Sequence, residues 1–366
     1  MSTDITIAAV GDLLIKSRII ASARVSGDKR YDFDPIFEPV ASYLRNADFT
    51  IGNLETNFAG PTSTTRSDGG YTVPKRNPKT GWPLLNCPDQ FAATLKNLKF
   101  DVLSTANNHC IDNGVSGLKR TLKVLDEHQL AHTGTARTPS ESQETLIKTV
   151  KGIKIGVLAY TKGTNRMPLP ASSAWAVNLI DPKRIVEDIK RLKSKEVDLI
   201  VACMHFGREY SKTANPEQKK LVQLMFEHGA DIILGAHSHV IQPAVFYKVK
   251  ERSGASKKKF AAYSLGNFIS TRLYKNDHTL TGVITQIHVR KQDDGTTQIM
   301  NVDFVPTWVR VYKSGNKPVF RVVPLAGALK KPADTSGGEW ERMSKMHQHV
   351  KRHIPLNPDQ SGLKVL

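Results

Sequence analysis

Long apolar runs are missing. Nowhere does the chain approach the roughly 18 consecutive apolar residues that a membrane-spanning helix needs. Its start, Met1-Ser2-Thr3-Asp4, has no basic stretch leading into an apolar core, so a secretory leader is not expected. The expectation is a soluble protein, cytoplasmic or peripheral, without an integral membrane segment. Cysteine is scarce as well. The three present, Cys87, Cys110 and Cys203, form no C-x-x-C pair and are odd in number, which argues against a disulfide framework. Cys203, inside an apolar run, reads as a small core residue. Acidic residues are the third shortage: 34 against 52 lysines and arginines leave a net charge of +18. That excess favours anionic partners in general, whether phosphate esters, nucleic acid, an acidic polymer or a lipid surface. Aromatic residues scarcely interleave the cluster of Lys248, Lys250, Arg252, Lys257, Lys258 and Lys259. Nucleic-acid stacking is therefore not expected, and the cluster reads as a solvated hairpin.

What is present is a recurring pattern. At 366 residues the chain is long enough for one large α/β domain with trimmings or for two domains. Five apolar runs, at 5–10, 49–51, 100–104, 197–204 and 230–234, each end in a polar group of metal-binding type. They lead into Gly11-Asp12, Gly52-Asn53-Leu54-Glu55, Asn107-Asn108-His109, His205-Phe206-Gly207-Arg208-Glu209-Tyr210 and Gly235-Ala236-His237-Ser238-His239. Such runs suit strands covered on both faces, and in open α/β sheets functional groups gather at the carboxyl ends of the strands. Gly235 suits a tight turn that aims the two imidazoles at a common ion.

Between the runs, apolar spacing predicts helices. One opens at Asp34-Pro35 with Ile36, Phe37, Val40, Tyr43 and Leu44 on its buried face; others fall at 88–98, around Leu118, Leu122 and Leu125, at 181–195 and at 216–227. A hairpin over 145–150 and 153–159 feeds the polar loop Tyr160-Thr161-Lys162-Gly163-Thr164-Asn165. Residues 57–82, rich in Thr, Ser, Gly, Pro and Lys, predict a long surface loop. Beyond His239 the alternation gives way to strands at 240–250, 260–265, 281–289 and 298–304. After about residue 311 the chain is basic and irregular, with one helix at 339–350. The expected division is a domain over 1–310 and a basic C-terminal extension over 311–366 that caps or binds a partner.

Asp12, Glu55, Asn108, His205, His237 and His239 combine carboxylate, amide oxygen and imidazole. That mixture suits Mn²⁺, Zn²⁺ or Fe better than Ca²⁺ or Mg²⁺, which favour all-oxygen shells. The set exceeds what one tetrahedral ion uses, so two ions roughly 3.5–4 Å apart, bridged by Glu55, would employ it better. Each residue alone has a plainer reading. Asp12 can cap a turn, Asn107-Asn108 can supply left-handed turn residues, and His205 can be a hydrogen-bonded core histidine. The repetition at successive strand ends carries the metal reading.

In this order Gly11-Asp12, Asn53-Leu54-Glu55, Asn107-Asn108-His109, His205 to Tyr210, His237-Ser238-His239-Val240-Ile241-Gln242 and Tyr263-Ser264-Leu265-Gly266-Asn267-Phe268 resemble the ordered motifs of the capsule-synthesis CapA family. That family lies in the calcineurin-like metallophosphoesterase superfamily and is associated with poly-γ-glutamate production. The resemblance spans roughly residues 5–270 and implies an α/β/β/α sandwich, two packed sheets flanked by helices. It implies Asp12 on one ion, Glu55 bridging, Asn108, His205 and His237 on the second ion, and His239 returning to the first. His109 becomes the acid that protonates a leaving group. Asn53, Thr161, Asn165, Arg208, Tyr210 and Asn267 are candidate substrate-binding residues.

The chain departs from the superfamily at two ligands, one being Glu55 where an aspartate usually bridges, a change that fits the CapA pattern. The usual opening is Asp-x-His, but Leu13-Leu14 follows Asp12, so the first ion is expected to be weakly held. The expected function is a metal-dependent hydrolase or phosphoesterase linked to poly-γ-glutamate or a related capsule polymer. Two alternatives stay open: a cytosolic phosphomonoesterase or nucleotide phosphatase, and a non-catalytic polymer-binding assembly subunit.

Overall fold

The computed structural model describes residues 2–60, 76–254, 256–315, 317–330, 338–355 and 362–366. The expected loop at 57–82 falls largely outside them. In chain order the strands are β1 (Thr3–Leu13), β2 (Phe49–Asn53), β3 (Val102–Ser104), β4 (Ala131–Thr133), β5 (Leu146–Val150), β6 (Ile153–Thr161), β7 (Leu199–His205) and β8 (Ile232–Ala236). They continue as β9 (Ile241–Lys250), β10 (Ser256–Leu265), β11 (Asn267–Ile269), β12 (Thr281–Lys291), β13 (Thr297–Ser314), β14 (Lys317–Pro324) and β15 (Leu363–Val365).

Two sheets result. One runs β14-β13-β12-β1-β2-β3-β4, with β11 beside β1 and β15 beside β13; the other runs β5-β6-β7-β8-β10-β9. β1 to β4 are mutually parallel, as are β6, β7, β8 and β10. Side-chain alternation divides the core into layers. In β1, Ile5, Ile7 and Ala9 join Ile232 and Leu234 of β8 between the sheets. Ala8 and Val10 turn the other way, toward the helices Gln90–Asn97 and Gly114–Glu127. Ile233 faces outward onto the helices Pro182–Lys193 and Pro216–His228. The architecture is the α/β/β/α sandwich that the resemblance implies. Because the parallel strands share a direction, their carboxyl ends meet along one rim.

Local chemistry sets the helix ends. Asp181 accepts the Lys183 N–H ahead of Pro182, and Asn215 forms a capping box with Gln218 ahead of Pro216. The single helix expected from Asp34 is instead Asp34–Phe37, a 3₁₀ turn Glu38–Val40 and Ala41–Arg45. Pro39, without an N–H, interrupts the α-helical ladder there. No helix among the described residues is long and apolar enough to cross a membrane.

Three other expectations need correcting. Gly235 lies inside β8, not in a turn: a Cβ there would sit 1.9 Å from the Tyr263 carbonyl oxygen, so glycine is required for β10 to approach. The left-handed residues of the turn are the histidines themselves, His237 at φ +91° and His239 at φ +58°. Among the described residues, the stretch just after 311 is not irregular either. β13 runs through that position, and β14 pairs with it along its length, with Arg310 opposite Arg321 and Lys313 opposite Pro318. Phe320 and Val322 alternate into the core while the basic residues face outward, so charge density masks the strand pattern. Finally, Lys259 does not belong to a solvated hairpin. It is fully buried, with its amine 2.7 Å from Glu251 Oε1 and 2.5 Å from the Ala230 carbonyl.

Candidate metal centre

Strand register brings the polar residues together. Asp12 pairs with Asn53 across β1 and β2, after a bulge that follows Val10. Gly11 must be glycine, since a Cβ would lie 1.9 Å from the Gly266 oxygen, and that close approach lets the Asp12 N–H donate to the same oxygen at 3.0 Å. The second sheet supplies His205 at the end of β7, and the turn after β8 supplies His237 and His239.

Glu55 lies at the middle of this rim, fully buried, with neither carboxylate oxygen hydrogen-bonded. Its Oε1 lies 3.7 Å from His205 Nε2 and its Oε2 lies 3.9 Å from His239 Nδ1. Around Oε1, His205 Nε2 is 2.7 Å from Asn108 Oδ1 and 3.2 Å from His237 Nδ1. Around Oε2, His239 Nδ1 is 3.2 Å from Asp12 Oδ2 and 3.1 Å from Asn267 Oδ1. One carboxylate thus faces two donor sets, with one oxygen toward each. Ligand atoms of Asp12, Glu55 and His205 all lie within 4.8 Å of one another.

The electrostatics fit a cation. Burial, and then the neighbouring Asp12 carboxylate, push the Glu55 carboxyl well above its usual range. Burial, followed by His237, pushes the His205 imidazole well below its usual range, and burial with His239 takes His237 down to about 3. Neutral imidazoles offer lone pairs, as ligation requires. Lone-pair atoms converge here with few protons among them, and burying such groups unpaired is costly. A divalent metal centre here would give Glu55 Oε1 and Oε2 the partners they lack.

The remaining candidates take distinct places. Asn53 Nδ2 donates to Asp12 Oδ1 at 2.7 Å and lies 3.2 Å from His205 Nδ1, so it braces ligands from behind. Asn267 sits in the same inner position, donating from Nδ2 to the Thr279 oxygen at 2.9 Å. His109 Nδ1 is 2.7 Å from Asp112 Oδ2, and Asn165 Nδ2 is 3.3 Å from His109 Nε2. Asn165 Oδ1 accepts from Asn108 Nδ2 at 2.9 Å, which ties the ring to the ligand set. Thr161 is fully buried and its hydroxyl donates to the Gly163 oxygen at 3.1 Å, a bond within its own turn. Arg208 is exposed; its carbonyl accepts the Ser211 N–H at 3.3 Å, and its guanidinium has no ion pair or hydrogen bond among the described residues. Tyr210 packs beside His239, ring centroids 6.0 Å apart. Leu14 is buried against Leu85 and Leu273, so no imidazole enters from that side.

Two residues of the site were not singled out from the sequence. Asp112 was legible as a carboxylate three positions after His109, the spacing of one helical turn. Lys16 gave no signal. Burial lowers the pKa of its amine, while Glu55 and then Glu209 act to raise it.

Residues 6–272 match the family model described as bacterial capsule synthesis protein PGA_cap. The capsule biosynthesis protein CapA of Bacillus anthracis is 27% identical over 318 residues, covering 86% of this chain and 69% of that protein. The PGA biosynthesis protein CapA of Bacillus subtilis (strain 168) is 27% identical over 271 residues, covering 74% of this chain and 65% of that one. The chain therefore spans about two thirds of the length of these relatives. Among solved structures, the calcineurin-like phosphoesterase YfkN from Bacillus subtilis aligns at 14% identity with a TM-score of 0.48, covering 96% of this chain and 98% of that one. The NAD nucleotidase of Haemophilus influenzae aligns at 12% identity with a TM-score of 0.47, covering 100% of this chain and 64% of that one. With the family model covering residues 6–272, the chain belongs to the bacterial capsule synthesis protein PGA_cap family.

Proposed function

We propose that this chain is a metal-dependent phosphoester hydrolase serving capsule-polymer biosynthesis, with poly-γ-glutamate the polymer that the CapA resemblance suggests. The observation that carries the reading is Glu55, whose two buried, unpartnered oxygens face separate donor sets. Asp12, Glu55 and His239 would hold one divalent ion; Glu55, Asn108, His205 and His237 would hold a second, with Mn²⁺, Zn²⁺ or Fe fitting the donor mixture. Bound there, such ions supply Lewis acidity toward a phosphoryl oxygen and acidify water.

The chain's own residues do the rest. Asp112 accepts the His109 Nδ1 proton and fixes the ring, so that a proton carried on Nε2 points away from the carboxylate toward the substrate side. The Asn165 Nδ2 amide, 3.3 Å from Nε2, donates to that nitrogen once its proton has passed to the leaving oxygen. Asn53 keeps Asp12 and His205 in position. The overall positive charge draws in an anionic substrate, and the region after residue 311 is proposed to cap the fold or bind a partner.

Elemental analysis of protein purified without chelator, beside a His237→Ala/His239→Ala variant, is the first test. Two equivalents of metal in the parent and fewer than one in the variant support the binuclear reading. One equivalent points to a mononuclear centre in which Leu14 has cost the first ion. No metal after Mn²⁺ or Zn²⁺ is supplied overturns the catalytic reading. Turnover of an alkyl phosphate with Mn²⁺, falling by roughly 10²–10⁴-fold in His109→Ala, then tests the acid.

A further inference from the structure

Where an imidazole is missing, an aromatic wall stands. Leu14, Leu85 and Leu273 form a small apolar patch, and Tyr210 packs on it. The Tyr210 N–H donates to the Ser238 oxygen at 2.7 Å, which pins the residue beside the His237–His239 turn. Its ring lies between His239, 6.0 Å away, and Tyr274, 5.2 Å away and edge-on at 77°. From the metal ligands outward the order is His239, Tyr210, Tyr274.

Tyr274 is 82% exposed, an unusual position for a large aromatic ring. Its backbone is left-handed at φ +46°, as are those of Lys275 at φ +54° and Tyr210 at φ +63°. Bulky residues rarely adopt this conformation, and such strain persists only where surrounding contacts impose it. Here the contacts are explicit. Arg272 pairs with Asp277 at 2.8 Å, the Leu273 N–H donates to the Thr279 hydroxyl at 2.9 Å, and the Asn276 N–H donates to the Leu273 oxygen at 2.8 Å. The segment is held so that the Tyr274 ring stays in solvent against Tyr210 instead of folding onto the apolar patch below.

We propose that Tyr274 and Tyr210 form a subsite at the mouth of the metal centre that takes a flat ring carried by the group esterified to the phosphate. The inference rests on the phosphoester reading and narrows it. An acyclic polycarboxylate offers no ring to stack, so the ester cleaved is one with an aryl or nucleobase-like substituent. Arg208, exposed two residues before Tyr210, stands on the same loop to meet the phosphate's charge. Offset or edge contact with a tyrosine face adds about tenfold in affinity for a flat ring over a puckered one of the same size.

The test is calorimetric binding of phenylphosphonate and cyclohexylphosphonate to the full chain loaded with Mn²⁺, in the parent, Tyr274→Phe and Tyr274→Ala, with metal content measured in each. The expected result is a preference for the phenyl compound of about tenfold in the parent and in Tyr274→Phe, lost in Tyr274→Ala at unchanged metal content. Equal binding of the two by the parent, or a preference that survives Tyr274→Ala, overturns the subsite and leaves the phosphoester reading standing. Failure to load Mn²⁺, or to bind either phosphonate, removes that reading and the subsite with it.

Discussion

His109 Nδ1 lies 2.7 Å from Asp112 Oδ2, and the same carboxylate oxygen accepts the Leu85 N–H at 2.7 Å. Asp112 is buried, and burial raises its pKa while His109 acts to lower it. Its side-chain hydrogen bonds go to His109 and Leu85, not to the donor sets around Glu55. Its effect on chemistry must pass through the imidazole, which makes it a positioning residue.

Replacing that carboxylate should separate protonation from metal binding. In Asp112→Asn the ring loses the partner that stabilises its protonated form, so esters with poor leaving groups should slow most. Alkyl phosphate turnover should fall by roughly 10²-fold or more, the range of a lost general acid. A nitrophenyl phosphate, whose leaving group needs little proton assistance, should slow far less. Steady-state rates on the two esters, with metal content checked in parallel, read the difference. An equal loss on both would deny His109 the acid's role.

Leu14→His returns an imidazole to the position next but one to Asp12. The variant should take up metal at the first donor set more tightly, seen as higher occupancy by elemental analysis at limiting Mn²⁺. It should also lose about 1–3 kcal/mol of stability without metal, because a polar ring then replaces a leucine buried against Leu85 and Leu273. Chemical denaturation of the metal-free protein measures that loss, and added Mn²⁺ should recover it by binding only the folded state.

Lys259 tests the core and not the centre. Its buried amine serves Glu251 at 2.7 Å and Asp231 at 3.6 Å. Lys259→Met keeps the length of the side chain but strips Asp231 of its ion-pair partner and leaves Glu251 with Lys193 alone, at a cost of about 3 kcal/mol. The denaturation midpoint should drop while metal content is unchanged. Adding Glu251→Gln and Asp231→Asn to that change should recover much of the loss, since the buried charges go with their partner.

The sequence shows most of what repeats and little of what depends on approach. Asp12, Glu55, Asn108, His205, His237 and His239 stood out because each follows an apolar run, and parallel strands carry such ends to one rim. Asn53 and Asn267 were legible as motif residues, but their inward orientation was not, since a side chain facing a ligand or a substrate has the same letter. The role of Gly235 depends on how near β10 comes, which no local pattern encodes. Lys259 was hidden among basic neighbours because burial is decided by register: Phe260 opposite Phe246 turns the adjacent lysine toward Glu251. Tyr210 was legible as a substrate-binding candidate, but its pairing with Tyr274, 64 positions away, had no sequence signal.

A cluster of imidazoles away from the centre gives the last prediction, a dependence of stability on pH. His278 and His349 lie with ring centroids 4.6 Å apart, and His349 stacks on His353 at 4.7 Å, with His353 Nε2 2.7 Å from the Lys212 oxygen. The edge-on contact of His349 with His278 joins the helix Glu339–His353 to the 3₁₀ turn Asp277–Leu280. Burial first, then Lys212, His353 and Lys345, lower the His278 pKa to about 4 against the pull of Asp277. Burial first, then His278, His353, Lys212 and Arg352, take His349 to about 4 as well. Both folded values lie below the ordinary value of 6.5, so the unfolded chain binds more protons in the interval between. The contribution of these rings is whole above about pH 6.5 and is lost progressively as the pH falls toward about 4. The urea midpoint should therefore decline between about pH 7.5 and about pH 5, and a His278→Gln/His349→Gln variant should decline less over the same range. An equal slope in the variant would place the acid sensitivity elsewhere in the fold.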